Sequence, residues 1–143
     1  MRKITWAALL LVTASQAHAQ TEAVDTAMEE ALRDYSAVAA GWYVNQRCWF
    51  VTGEAREKFN RDLELLNVAM VRDLGRTERL RQIQQAAQIG ASRPPYNACG
   101  AEAEELVTST SKHAGLWSDA IREIVAELAA KQAEQEAQPE AAE

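Results

Sequence analysis

Apolar positions in this chain recur at steps of three and four residues, the period of helices that bury one face. The cleanest run is Ala103, Val107, Thr110, Ala114, Trp117, Ile121, Ile124 and Leu128, which alternates steps of four and three throughout. Such an a/d seam needs partner helices, either from the same chain or from a second copy. An earlier stripe, Val24, Met28, Ala31, Leu32, Tyr35, Val38, Ala39 and Trp42, predicts a helix over about 21–48. Thr52 then suits the cap of a helix with Glu54 and Glu57 near its positive end. Its buried face would carry Phe59, Leu63, Leu66, Met70 and Leu74, and Gly75 can supply a left-handed stop. A shorter helix over about 77–89 presents Leu80, Ile83 and Ala87, and Gly90 is read as its end.

These segments, joined by short turns, predict an all-α fold: a small up-down bundle of about four helices. At 1.5 Å per residue the second helix would span roughly 33 Å and the third roughly 20 Å. The segment 91–98, with Pro94-Pro95 at its centre, is therefore expected to climb the difference in extended form before the last helix. Beyond about Lys131 the chain turns to Gln, Glu and Ala around Pro139 with nothing left to bury. Residues 131–143 read as a polar, acidic, disordered tail.

The first residues change the picture of where the chain works. Arg2 and Lys3 precede an apolar run from Ile4 to Ala14, and Ala17-His18-Ala19 has the small-x-small form that signal peptidase cuts. The run is too short to anchor in a bilayer. Residues 1–19 are read as a signal peptide removed after Ala19, residues 20–130 as the helical domain, and the address as a soluble periplasmic one. No cysteine stands at the end of the signal to carry a lipid, so no membrane anchor is expected. Cleavage removes both basic residues of the signal, so 13 of the 15 Lys and Arg face all 21 Asp and Glu, and the net charge moves from -6 to -8. That sign argues against nucleic-acid binding, which needs a basic surface to displace counterions.

Export also decides what the two cysteines mean. In an oxidising compartment Cys48 and Cys99 are expected to form one structural disulfide. The bundle supports this: with the first helix up, the second down and the third up, both cysteines fall at the same end.

Two groups are candidates for binding. Trp49, Phe50, Pro94, Pro95 and Tyr96 gather at the disulfide end, where Trp42 and Tyr43 also lie, and form a candidate partner surface. The alternative is that these rings close the bundle over the bridge. Arg72, Arg76, Arg79 and Arg81 crowd the turn between the second and third helices and form a candidate anion patch. Asp73 and Glu78 are interleaved there, so a solvated turn is the alternative.

Catalytic signals are weak. Ser109-Thr110-Ser111-Lys112 has the S-x-x-K spacing of penicillin-binding enzymes, but K-T-G, S-D-N and the length of that fold are missing. His113 is the only histidine of the mature chain and has no ligand set of metal-site spacing around it. Neither a metal nor another cofactor is expected, and the chain is read as a non-enzyme.

The stretch Leu32 to Cys48, LRDYSAVAAGWYVNQRC, followed far downstream by Cys99-Gly100-Ala101-Glu102-Ala103, resembles a family of small exported alphaproteobacterial proteins with two well-separated cysteines. Ser36, Tyr43, Cys48, Cys99 and Ala103 fit that layout. Arg93-Pro94-Pro95-Tyr96 stands where the family has an aromatic-glycine stretch. The resemblance supports export and the disulfide and brings no activity with it. The expected function is a protein-interaction or accessory module whose partner is another envelope protein, with self-association compatible. The alternative is a periplasmic stress chaperone similar to the small acid-activated helical proteins that also use one long-range disulfide.

Overall fold

A computed structural model describes residues 7–74 and 77–136. It contains four α-helices, α1 (Ala7–Cys48), α2 (Gly53–Leu74), α3 (Thr77–Ala91) and α4 (Ala101–Glu136), with a 3₁₀ turn, Tyr96–Ala98, between the last two. Among the described residues there is no strand, and the fold is the all-α up-down bundle that the periodicity predicts. None of these helices is long and apolar enough to cross a membrane. The chain divides into two units, Met1–Tyr35 and Ser36–Glu143. In the first unit α1 already begins at Ala7 and runs through the proposed cleavage position. No glycine or proline interrupts the chain before Gly41, and its alanine-rich stretch favours helix throughout. Of that unit's residues Leu32 and Tyr35 are buried, and the side chain of Val24 lies outside the described residues.

The second unit holds the bundle and the disulfide. Helix α1 ends because Trp49 takes a left-handed conformation, φ +60°, while its N–H donates to Asn45 O at 3.0 Å. The buried Asn45 amide then organises the turn that follows. Its Nδ2 donates to Val51 O at 2.9 Å, and its Oδ1 accepts the Val51 N–H at 2.8 Å. One side chain thus satisfies both backbone groups of a residue that would otherwise leave them unpaired. The Thr52 carbonyl accepts from the Arg56 N–H, and α2 begins.

Packing between α1 and α4 is unusually close. A Cβ added at Gly41 would overlap the side chain of Thr110, so only glycine fits that position of α1. Just above, Val44, Ala91, Ala103 and Val107 form a buried cluster, covered by Tyr43, Phe50, Val51, Tyr96, Leu106 and Cys48. Phe59, Leu63, Leu66 and Met70 of α2 and Leu80 and Ala87 of α3 supply most of the remaining core, as their spacing predicts. Leu74 lies outside the residues whose side chains are described. The disulfide joins Cys48 and Cys99 with their Cα atoms 5.5 Å apart, and neither cysteine is free. Arg47 reinforces that end: its Nη2 donates to Ala91 O at 2.8 Å and to Tyr96 O at 3.0 Å.

Three details differ from the sequence reading, and a fourth shows where the seam finds its partner within the chain. Gly90 lies inside α3, which continues to Ala91; the glycine does not take the positive φ that a left-handed stop needs. The segment after it is turned, not extended. Pro95 is in the helical region (φ -85°, ψ -4°), and Arg93 O accepts from both the Tyr96 and the Asn97 N–H. Helix α4 runs on to Glu136, since Ala, Gln, Glu and Lys all favour helix, and residues 137–143 lie outside the described residues. Finally, the seam of α4 is covered over half its length only. Ala103, Val107, Thr110 and Ala114 are buried, Trp117 and Ile121 are half-buried, and Ile124 and Leu128 are exposed.

Two measurements check this architecture. Thiol titration of the native protein should find no reactive cysteine, and Cys48→Ser with Cys99→Ser should cost about 4 kcal/mol on the loop-closure argument. Gly41→Ala should destabilise the fold by about 1–3 kcal/mol in a denaturant melt. Thr110→Ala in the same background should recover part of that loss.

Candidate functional site

At the disulfide end the five residues of the proposed partner surface divide into two groups. Phe50 and Tyr96 are half-buried against the apolar cluster, where they close the bundle. Trp49, 56% exposed, and Pro94 and Pro95 remain on the surface. The Trp49 ring is covered on one face by the Arg56 guanidinium, 3.9 Å from its centroid. Arg56 Nη2 in turn donates to Gln46 Oε1 at 2.7 Å. Trp42 is also committed, donating from Nε1 to Asn60 Oδ1 at 2.8 Å and meeting Tyr43 edge-on. This end is therefore mainly a closure of the core, with one stacked tryptophan left outside.

The arginine turn keeps its described side chains on the surface. Arg72, Arg79 and Arg81 are exposed, and Arg81 Nη2 pairs with Glu78 at 2.9 Å one turn away. Arg76 lies outside the described residues. The hydroxyls of Ser109, Thr110 and Ser111 all donate to carbonyls of their own helix, so the S-x-x-K spacing holds no activated nucleophile. His113 is exposed with its ring 5.9 Å from that of Trp117.

The most concentrated chemistry lies between α2 and α4. Asp62 is buried, 1% exposed, on the inner face of α2. Its Oδ2 accepts from Lys58 Nζ at 2.6 Å, and its Oδ1 accepts from Ser118 Oγ at 2.6 Å and Arg122 Nη2 at 3.2 Å. Arg122 Nη1 also donates to Asp119 Oδ1 at 2.6 Å. Gly115 makes the room: a Cβ there would stand 3.1 Å from Lys58 Nζ and 3.5 Å from Asp62 Oδ2. Burial alone would push the Asp62 carboxyl up. Hydrogen bonds from Lys58, Ser118 and Arg122, with the positive charge of Lys58, outweigh burial and hold it below the ordinary carboxylate range.

Above this cluster a groove of about 460 Å³ opens between the two helices. Val51, Ala55, Phe59 and Leu116 supply apolar surface, and Lys58, Lys112, Asp62 and Asp119 supply charge. Among the described residues no three His, Cys, Asp or Glu converge as a metal site would require. Sequence reading missed the cluster, although one signal was present. Asp62 falls between Phe59, Leu63 and Leu66, at an apolar position of the stripe, and Ser118 follows Ala114 and Gly115 in the same way.

Compared with protein-family models, with curated proteins and with solved structures, the chain matches none. Function must therefore be argued from the geometry above.

Asp62→Asn should cost about 1–3 kcal/mol at neutral pH, the usual penalty for weakening a buried, charge-assisted hydrogen-bond set. A carboxyl whose folded pKa is depressed stabilises the fold above its unfolded value, about 3.9, and loses that contribution as pH falls through the folded value. The gap between wild type and variant should thus stay constant from pH 7 to about 4 and close below it. A gap that closes near pH 6 instead would show that another group is responsible.

Proposed function

We propose that this chain is an exported helical interaction module, an accessory protein that docks on another envelope protein through the second half of α4. The observation that supports this reading is the bare continuation of its seam. Ile124, Val125 and Leu128 are 57%, 46% and 53% exposed, and all three lie on or beside the face that is buried further up the helix. Single exposed apolar residues need no explanation, but a continued stripe at heptad spacing is the form a helix takes when it pairs with another. Around it Asp119, Glu123, Glu127, Glu134 and Glu136 outnumber Arg122 and Lys131, which keeps the face soluble while it is unoccupied. The proposed address is the periplasm, after cleavage behind Ala19. Its support is the signal-like start of the sequence together with the disulfide. Nucleic acid and a membrane anchor are not part of this reading.

A second reading, the acid-activated chaperone, has one observation in its favour. A single buried carboxylate ties α2 to α4, so its protonation would loosen that pair. The depressed pKa confines such loosening to pH below about 4. Apolar dye binding that rises there with the disulfide intact supports the chaperone, whereas dye-silent acid unfolding removes it.

Ile124→Glu combined with Leu128→Glu tests the interaction module. Both positions are exposed, so stability should change by less than about 0.5 kcal/mol. A tagged, exported copy should nevertheless lose the partner that co-purifies with the wild-type protein, and sedimentation will show whether that partner is a second copy. Undiminished co-purification by the double variant would place the docking surface elsewhere.

A further inference from the structure

We propose that the groove between α2 and α4 is a ligand site for an amphiphilic monocarboxylate, with an unbranched acyl chain along its apolar surface and the carboxylate on Lys112. This goes beyond the docking role argued for the second half of α4 and uses a different stretch of that helix. The groove's lining spans Thr108 to Asp119 on α4, about 17 Å, and Ala55 to Asp62 on α2, about 11 Å, with Val51 just ahead of α2. Its volume, about 460 Å³, falls within the range of small-molecule sites. Its walls combine the apolar groups Val51, Ala55, Phe59 and Leu116, and Leu116 stands 64% exposed there although no core position requires it.

Charge selects the head group. Both anions of the groove are already matched, Asp62 by Lys58 and Arg122, and Asp119 by Arg122. Lys112 lines the same groove, is exposed, and has no ion-pair partner among the described residues. The groove's own lining holds two lysines and two aspartates; Lys58 pairs with Asp62 and Arg122, behind the wall, with Asp119, which leaves the Lys112 ammonium as the lining charge without a counter-ion among the described residues. One unmatched ammonium suits a singly charged anion, and the apolar groups spread along both walls of the groove suit a chain rather than a ring. A dianionic phosphate would leave one charge uncompensated beside Asp119.

Titration calorimetry at neutral pH with octanoate, decanoate, dodecanoate and decanol, each below its aggregation limit, tests the site. One ligand should bind per chain, and each added methylene should tighten binding about fourfold until the groove is filled. Decanoate should bind about fivefold tighter than decanol, as a partly exposed ion pair allows. Lys112→Gln should erase that margin while leaving decanol affinity unchanged, and Leu116→Glu should weaken both. Ile124→Glu with Leu128→Glu should alter neither, which separates this site from the docking face. Equal affinity for decanoate and decanol, a margin that survives Lys112→Gln, or no binding by any member of the series would overturn the proposal. So would loss of binding in the Ile124 and Leu128 variant, because it would place the amphiphile on the docking face.

Discussion

The fold depends on how closely α4 can approach its neighbours, and small side chains set that distance. Over its buried half α4 offers Ala103, Val107, Thr110, Ala114, Gly115 and Ser118, with no large residue among them. On one side this lets the helix press against Gly41 of α1 until a single added carbon would collide with Thr110. On the other, Gly115 and Ser118 leave space for the Lys58 and Asp62 side chains. Dispersion falls off steeply with separation, so a helix that carries little apolar bulk contributes by proximity instead. That constraint explains why the disulfide sits where it does. A bridge between Cys48 and Cys99 holds the upper ends of the same two helices together and limits the unfolded chain, which matters for a core with few large residues.

Close packing also explains the polar residues inside. Asn45, Asp62, Thr110 and Ser118 are buried at positions where a larger apolar side chain would push helices apart. Each is satisfied: Asn45 by both backbone groups of Val51, Thr110 by the Leu106 carbonyl, and Asp62 and Ser118 by each other and their cationic neighbours. An ion pair of this kind returns little net stability once desolvation is counted, but a half-satisfied one is costly. Its effect is on register. Sliding α4 by one turn against α2 would bring Ser118 and Arg122 away from Asp62 and leave a buried charge without partners.

Much of this was legible in the sequence, and the exceptions have physical causes. Helix number and class followed from the three- and four-residue steps, and the pairing of Cys48 with Cys99 followed from the signal-like start and the presence of two cysteines, with up-down connectivity bringing both to one end. The stop at Gly90 and the extended Pro94-Pro95 segment failed because local propensity does not report tertiary hydrogen bonds. Here Arg47 reaches across from α1 to the Ala91 and Tyr96 carbonyls and holds that segment in its turned form. The Asp62 cluster was hidden for a related reason. A carboxylate within an apolar stripe reads as an interruption until the opposite helix shows Ser118 and Arg122 facing it. Periodicity likewise identified the seam from Ala103 to Leu128 but carries no information on whether a partner is present at each layer.

That last distinction bears on what α4 is for. A helix designed only for its own core would place its large residues inward and its small ones outward. Here the order along the chain is reversed: small residues fill the buried half, while Leu116, Ile124, Val125 and Leu128 stand in solvent. The exposed part of these side chains adds nothing to folding stability, because that area is removed from water only on contact with something else. At about 25 cal/mol per Å², burying even part of three such side chains against a partner would supply several kcal/mol toward association. The heptad phase of the seam passes without a break from the covered half to the bare half, so a partner helix would continue the geometry that α4 already has. The groove lined by Lys112 and Leu116 lies just before that transition, beside the ion cluster that fixes α2 against α4. A ligand seated there would touch both helices at the level where the buried half of α4 gives way to the exposed half.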